Sequence, residues 1–421
     1  MFLFFDYDLF ILAAILTIFI DFFVFKDRSF NLNLYFLKSV FSLFYLLKFF
    51  YAFFNINVLW QQSSQTNYHT NAKFLDMQGF LFPIKCQSSS FSERYIEIIG
   101  TMNFYDCNTF SSYGPLDRIL KINFDLNFVT YAFSLLLILF YIKSIFDILD
   151  FNNNNAYLIT LIALSPPVNF LIQRMNIDFF IFLTIYYLVQ NFYKNKFLFT
   201  FTIFFLGLIK IYVIFIYFGL LFFNLISKNI KDIVINFLSS LLLFFIYFQL
   251  GYFETTKYFS IRPARSDWSY GFLSEILKLD ILQANNVLYF VVFFLVALIF
   301  IITFKNNSLE IENNLFKNST SWPFLFLFLG TSLYANYDYR LVMLIFISHI
   351  FFNSKNIIKK YIFVMFMFSH PSLLHGYYDS FKLIENNHIF YLDITFYAIF
   401  YLVLLDLVSF SRFQLKNSKI Y

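Results

Sequence analysis

Apolar runs of about 20 residues recur along almost the whole chain, and each is long enough to cross the hydrocarbon core of a bilayer. The chain has 421 residues, of which 60% are hydrophobic and only 13% charged. A soluble domain carries about a quarter charged residues. A segment inside a membrane must satisfy its backbone internally, and an α-helix does so. The sequence therefore predicts an all-α, polytopic integral membrane protein with one domain over 1–421.

The apolar runs also indicate the number of spans. Single spans are predicted at 9–25, 36–54, 126–145, 156–172, 177–193, 232–250, 286–304, 322–335, 339–352, 361–378 and 390–410. The run 197–226 is too long for one untilted span of about 20 residues, and Lys210 lies near its middle. Two short helices that meet at Lys210 fit this run better than one helix. The total is then about 13 spans, and the predicted fold class is a membrane protein of roughly 11–13 helices.

Positive charge is distributed unevenly between the predicted loops. With these spans, one side of the membrane holds the loops 26–35, 143–155, 194–196, 227–231, 305–321 and 353–360 and the tail after 411. These loops carry about 15 of the 30 lysines and arginines in roughly 70 residues, whereas the other side carries about 13 in roughly 140 residues. Because cytoplasmic loops are enriched in Lys and Arg, the first side is predicted to be cytoplasmic. The net charge of +5 thus reflects topology and does not indicate nucleic-acid binding.

Three longer segments are predicted to lie on the extracytoplasmic side: 55–125, 251–285 and 370–389. The first is too long to be a simple connection. It holds both cysteines, Cys86 and Cys107. The exterior is oxidising, so a disulfide between them is one interpretation and a pair of free thiols is the other. The five histidines are scattered and the chain has no Cys-x-x-Cys pair, so no metal site is predicted.

Two polar islands interrupt the apolar sequence at predicted outer helix ends, Arg174-Met-Asn176-Ile-Asp178 and Asn336-Tyr-Asp338-Tyr-Arg340. Ionisable groups at membrane depth are costly and usually functional. Arg binds a phosphate through two N–H groups and Lys adds a point charge, so Arg174, Lys210 and Arg340 are predicted to hold a lipid-linked phosphate. The supporting residues would be Asn176, Asp178, Asn336 and Asp338. The alternative is that these residues are helix caps and cations that reach the membrane surface.

The first outer segment also supplies carboxylates. Transfer of a sugar to a hydroxyl needs a base that removes the hydroxyl proton while the anomeric carbon is attacked. Asp106 is the first candidate because aromatic and turn residues surround it, and Asp76 is the second. Tyr113, and in the second outer segment Arg265 and Trp268, are candidates for binding the sugar or the acceptor.

Motifs for binding nucleotides are absent from the sequence. It contains no P-loop, no G-x-G-x-x-G and no nucleophile elbow. A nucleotide sugar is therefore not expected to bind directly, and no cofactor is predicted. An activated sugar would instead be carried on a lipid phosphate.

Three short motifs in successive helices resemble a known family. Ser165-Pro-Pro, Arg174-x-Asn176-x-Asp178 and Gly207-x-x-Lys210-x-Tyr212 are similar to the S-P-P, R-G-N-x-D and K-x-Y-P motifs of GT-C superfamily glycosyltransferases. The similar branch contains polyprenyl-phosphate-mannose-dependent α-1,2-mannosyltransferases and their uncharacterised bacterial relatives. Tyr113-Gly-Pro115 and Tyr339-Arg340-Leu341 resemble further segments of the family. Met175 stands where the family has Gly, and Val213 stands where it has Pro.

The resemblance implies a hexosyltransferase of the bacterial cytoplasmic (inner) membrane whose active site faces outward. Such an enzyme would transfer mannose or another hexose, with inversion, from a polyprenyl-phosphate donor to a surface glycan or lipid acceptor. A loop carboxylate would be the base, and Tyr212 would support the donor phosphate site.

Other functions stay open from the residues alone. A polysaccharide polymerase, a ligase or a flippase-type protein for lipid-linked oligosaccharides would also be polytopic with a large outer loop. A secondary transporter is disfavoured, because transporters have matching halves and broken helices near the midplane. No internal repeat is evident here, and the polar groups cluster at predicted outer helix ends.

Overall fold

The computed structural model describes residues 30–62, 122–151, 155–192, 195–226, 229–249, 269–270, 322–332 and 336–352, with single positions elsewhere. Almost all of these residues are helical. The α-helices are α1 (Phe30–Gln62), α2 (Leu126–Phe151), α3 (Ala156–Ala163), α4 (Pro166–Arg174), α5 (Ile177–Phe192), α6 (Lys196–Ile209), α7 (Ile214–Ile226), α8 (Ile230–Gln249), α9 (Trp322–Thr331) and α10 (Ser348–Phe352). 3₁₀ segments cover Ile211–Val213 and Asp338–Ile347, and the strands are β1 (Ser269–Tyr270) and β2 (Asn336–Tyr337).

The long helices α1, α2 and α8 contain neither glycine nor proline. Their backbones can therefore keep every internal i to i−4 hydrogen bond. At about 1.5 Å per residue, the 20 residues of α8 extend over about 30 Å. By length and composition, Leu126–Asp150 of α2 and the whole of α8 could each cross a membrane.

Two compact units make up the chain, unit 1 (Met1–Tyr186) and unit 2 (Tyr187–Tyr421), with their boundary inside α5. In unit 1, α2 runs antiparallel to α1. The ion pair between Lys38 Nζ and Asp150 Oδ1 (2.6 Å) joins the first half of α1 to the end of α2. Further along α1, the ring of Tyr45 meets that of Tyr141 edge to face, with centroids 5.6 Å apart. Residue numbers thus rise along α1 while they fall along α2.

The other helices of unit 1 follow these two directions. The segment from the end of α3 into α4 advances in the same direction as α1, and α5 runs parallel to α2. The contacts that establish this are Tyr45–Ala163 and Lys48–Asn169 for the first pairing, and Tyr141–Phe179 and Ser144–Tyr186 for the second.

In unit 2, α6 and α8 run parallel, and α7 runs antiparallel to both α6 and α9. The contacts between α6 and α8 are Lys196–Asp232, Thr200–Asn236 and Gly207–Tyr247. The other contacts are Thr200–Tyr217 between α6 and α7, and Phe215–Gly330 and Phe222–Phe326 between α7 and α9. Within each unit, these relative directions follow the order of the predicted spans, and the side that each helix end faces stays a prediction.

Several predicted elements are confirmed as helices. The runs 36–54, 126–145, 177–193 and 232–250 coincide with α1, α2, α5 and α8. The run 197–226 consists of two helices, α6 and α7, and Lys210 lies between them as predicted. The runs 9–25 and 286–304, and most of 361–378 and 390–410, lie outside the described residues.

Three predicted spans are wrong in form. The run 156–172 is not one helix, because α3 ends at Ala163 and the proline pair Pro166-Pro167 begins α4. The run 339–352 is a 3₁₀ helix up to Ile347 that continues as α10, and nothing in its sequence explains the tighter winding. The run 322–335 is shorter than predicted, since α9 ends at Thr331.

Candidate functional sites in the two units

The proline pair after Ser165 creates a break between α3 and α4. Pro167 has no N–H group, so in a continuous helix the carbonyl of Ala163 would lack its i+4 partner. That carbonyl accepts hydrogen bonds from the hydroxyls of Tyr45 (2.7 Å) and Tyr141 (2.9 Å), both of which are fully buried. The Ser165-Pro-Pro motif thus has a structural role here. It leaves the Ala163 carbonyl without a partner inside the helix, and this carbonyl then joins α3 to α1 and α2.

A polar corner of unit 1, defined as residues 174–178, follows at the other end of α4. The helix ends at Arg174, and α5 begins at Ile177. Asn176 Oδ1 accepts a hydrogen bond from the Asp178 N–H (3.0 Å), while the Asn176 carbonyl accepts one from the Phe179 N–H (2.9 Å). Asn176 therefore caps α5, as the alternative interpretation of this motif predicts. The side chain of Arg174 lies outside what the structure describes.

Asp178 is a buried carboxylate in the first turn of α5, where it is 0% exposed. A carboxylate there is stabilised by the free N–H groups and the positive end of the helix dipole. This position explains how the chain can bury an acidic side chain. It leaves the carboxylate close in sequence to the polar end of α4.

Met175 links the two helices in a left-handed backbone conformation, with φ 49° and ψ 54°. It is the one non-glycine residue with positive φ in the described part of the chain. Glycine is preferred at such a helix C-cap because its lack of Cβ removes the steric cost. The family whose motifs this chain resembles has a glycine at this position, and a glycine would adopt this geometry without strain. Met175 adopts the conformation anyway, and its side chain is fully buried.

Lys210 separates α6 from α7 in unit 2. Its backbone is extended, with φ −146° and ψ 124°, and the residue is 8% exposed. The Lys210 N–H still bonds the Leu206 carbonyl (3.0 Å), and the Lys210 carbonyl accepts a bond from the Val213 N–H (3.3 Å). The chain therefore leaves one helix and enters the next through a single 3₁₀ turn, with Lys210 held at the break.

Gly207, the first residue of the Gly-x-x-Lys-x-Tyr motif, is explained by packing. A Cβ atom there would lie 2.5 Å from Leu243 Cδ2 on α8. The Gly207 carbonyl accepts a hydrogen bond from the buried hydroxyl of Tyr247 (2.7 Å). This glycine lets α8 pack closely against the last turn of α6, which ends at Ile209, immediately before Lys210.

Arg340 and Tyr212 are brought together in unit 2. The Arg340 guanidinium carbon lies 5.0 Å from the centroid of the Tyr212 ring, a cation–π distance. Tyr212 is 8% exposed and stands two residues after Lys210. The backbone of Lys210, the ring of Tyr212 and the guanidinium of Arg340 form what is called below the unit 2 site.

A short ladder connects the segment 251–285, which is predicted to be extracytoplasmic, to the sequence just before Asp338 and Arg340. β1 pairs antiparallel with β2, with Ser269 opposite Tyr337 and Tyr270 opposite Asn336. The strand β2 leads directly into the 3₁₀ helix that carries Asp338 and Arg340. Ser269, which follows Trp268, is thus paired with Tyr337, the residue immediately before Asp338.

The predicted site residues fall into three groups. Arg174, Asn176 and Asp178 belong to unit 1, and Lys210, Tyr212, Asn336, Asp338 and Arg340 belong to unit 2. Their union in one phosphate site stays a prediction. Outside the described residues lie Asp76, Asp106, Tyr113, Arg265, Trp268, Cys86 and Cys107.

Sequence reasoning overlooked four polar residues that the structure places around the α3–α4 break: Tyr45, Lys48, Tyr141 and Asn169. Lys48 gave one usable signal, because it is a cation inside a predicted span. The tyrosines gave none, since aromatic residues are abundant throughout the chain.

Among the described residues, no group of three or more His, Cys, Asp or Glu side chains could hold a metal ion. Comparison with known proteins adds no assignment: no family model, no curated protein and no solved structure matches the chain.

Proposed function

We propose that this chain is a polytopic membrane glycosyltransferase that moves a hexose from a polyprenyl-phosphate donor to a glycan or lipid acceptor at the outer face of the membrane. The observation that carries the proposal is the unit 2 site. There Arg340 lies over the ring of Tyr212, which stands two residues after the buried Lys210 at the turn between α6 and α7.

The surface of the described helices supports membrane insertion. On α8, ten of the 20 residues are large, apolar and exposed: Ile230, Val234, Ile235, Phe237, Leu238, Leu241, Leu242, Phe244, Phe245 and Phe248. Soluble monomers rarely expose so continuous an apolar surface, whereas lipid would cover it. Exposed apolar side chains on α1 and α6, such as Leu43, Leu47, Phe197 and Phe201, extend the same pattern.

The chemistry of the unit 2 site suits a phosphate. A guanidinium that lies over an aromatic ring keeps its N–H donors in its own plane, where they can reach two phosphate oxygens. Lys210 would add a second positive charge, and its burial would strengthen its attraction to an anion. This pairing of Arg and Lys favours the headgroup of a lipid phosphate as the bound group.

The reaction would be a single displacement at the anomeric carbon. The acceptor oxygen forms a bond to that carbon, and the bond from the carbon to the phosphate oxygen breaks. The acceptor proton moves to a carboxylate, for which Asp106 and Asp76 are the candidates. Arg340 and Lys210 would stabilise the negative charge that develops on the departing polyprenyl phosphate.

Transfer can be measured directly with the full-length protein in lipid nanodiscs. The protein would be incubated with radiolabelled polyprenyl-phosphate mannose and other polyprenyl-phosphate hexoses, together with an acceptor extract. We expect transfer from one of these donors, and a loss of about 10²–10³-fold for Arg340→Ala. Lys196→Ala is the matched control, because Lys196 is an exposed cation at the opposite end of α6 and pairs with Asp232. Absence of transfer from every donor would refute the proposal.

A second candidate function is flipping of a lipid-linked oligosaccharide, and the broken helix α3–α4 favours it. Discontinuous helices are a feature of transporters. The two functions predict different outcomes for a donor enclosed in proteoliposomes. A flippase would move the intact labelled lipid to the outer leaflet, whereas a transferase would convert the label into acceptor product.

A further inference from the structure

Lys48 is a half-buried cation on α1 that none of the motifs includes. Its Nζ donates a hydrogen bond to Asn169 Oδ1 on α4 (3.0 Å), and it lies 5.9 Å from the centroid of the Phe44 ring. It stands three residues beyond Tyr45, whose hydroxyl bonds the Ala163 carbonyl at the α3–α4 break. Two successive turns of α1 thus bind successive points on the broken helix.

Asn169 transmits this contact to the backbone of the break. Its Nδ2 donates to the Leu164 carbonyl (2.7 Å) and, at 3.4 Å, to the Ser165 carbonyl. An asparagine amide can do this only when its oxygen faces away from those carbonyls. The Lys48 Nζ fixes that orientation, because a cation binds the amide oxygen and would repel the amide nitrogen.

The break is connected to the polar corner by a short rigid element. α4 has nine residues, which at about 1.5 Å each span about 13 Å. It starts at Pro166, contains Asn169, and ends at Arg174 next to the left-handed Met175 and the capping Asn176. A rotation of α4 at its first turn would therefore displace Arg174 and Asn176 together.

We propose that Lys48 is a positioning residue that sets the orientation of α4 through Asn169, and thereby the location of the Arg174–Asp178 corner. Its effect on turnover rests on the proposed function. Its effect on the α3–α4 break does not.

The structural part is tested by hydrogen exchange on the full-length protein in nanodiscs. Lys48→Met should raise amide exchange about tenfold in the peptide that covers 164–176, because a charge-assisted bond to the break is lost. Asn169→Asp should have a similar effect, since aspartate still accepts from Lys48 but cannot donate to the Leu164 carbonyl. Lys38→Met is the matched control, as Lys38 is on the same helix and pairs with Asp150. Unchanged exchange over 164–176 in Lys48→Met would overturn the proposal.

The functional part is tested with the same variants in the transfer assay. We expect Lys48→Met to lower kcat by about 10²-fold, and Lys48→Arg, which keeps a charged donor, to restore most of it. The thermal midpoint of Lys48→Met should fall no further than that of Lys38→Met. If kcat falls in both Lys48→Met and Lys48→Arg without any change in exchange, Lys48 does not act through Asn169 and the proposal is wrong. If no variant or wild-type protein transfers sugar but exchange rises over 164–176, the positioning proposal stands and the proposed glycosyltransferase function fails.

Discussion

The two helix breaks, one in each unit, are built in opposite ways. Between α3 and α4, Pro166 and Pro167 make a continuous helix impossible, and two tyrosine hydroxyls satisfy the carbonyl that this leaves free. Between α6 and α7 there is no proline, and Val213 stands where the family with similar motifs has one. Nothing in the covalent structure at Lys210 prevents a helix there.

The difference indicates what each break contributes. A break that proline imposes needs only a partner for the released carbonyl, and packing supplies it. A break that the local sequence does not impose must be held by tertiary contacts, and such departures from local preference concentrate at functional sites. The first break would therefore serve the assembly of unit 1, including the orientation of α4, and the second would serve the placement of Lys210.

The strongest test of this comparison is to remove the charge of Lys210 at the second break. Lys210→Met keeps an unbranched side chain of similar length, so the thermal midpoint should remain close to that of the wild type. Transfer from the polyprenyl-phosphate donor should fall by about 10²–10³-fold, because a cation that stabilises the departing phosphate is lost. Lys196→Met controls for loss of a lysine on the same helix. Normal transfer by Lys210→Met would mean that the second break, like the first, serves packing and not the binding of the donor phosphate.

The first break should respond to loss of the tyrosine hydroxyls. In Tyr45→Phe or Tyr141→Phe, the Ala163 carbonyl keeps one of its two partners, so each should cost about 0.5–1.5 kcal/mol of unfolding free energy. The double variant leaves a buried carbonyl unpaired and should cost about 1–3 kcal/mol more than one single variant. Denaturant titration in micelles would measure all three. If the loss of unfolding free energy in the double variant equalled the sum of the two single losses, the two tyrosines would not be coupled through the Ala163 carbonyl.

Packing beside the second break can be tested at Gly330 on α9. A Cβ there would lie 2.0 Å from Cγ of Phe215, which is on the first turn of α7. Gly330→Ala should therefore destabilise unit 2 by about 1–3 kcal/mol through overpacking. Phe215→Leu should recover part of this loss in the double variant, since the smaller side chain removes the ring. A destabilisation that is the same with and without Phe215→Leu would exclude this contact as its cause.

Sequence reasoning succeeded where the signal is local. The length of the run 197–226 and the charge of Lys210 predicted the second break, and helix capping was an open interpretation of Asn176. It failed at the first break, because the apolar run hid the effect of the proline pair. The contacts of Tyr45 and Tyr141 with Ala163, and of Arg340 with Tyr212, join distant segments, so no local pattern could predict them.

The smallest effect we expect concerns the link between α4 and α5 at Met175. At an ordinary helical position Ala is more stable than Gly by about 1 kcal/mol. The left-handed backbone at φ 49° reverses this order, since it costs a residue with Cβ about 1–2 kcal/mol.

Met175→Gly and Met175→Ala both remove a fully buried side chain, so both should be less stable than the wild type. The glycine variant should nevertheless have a free energy of unfolding about 1 kcal/mol higher than that of the alanine variant, as measured by denaturant titration. If alanine were the more stable of the two, Met175 would not hold the left-handed conformation. The physical account of the family's glycine would then be wrong.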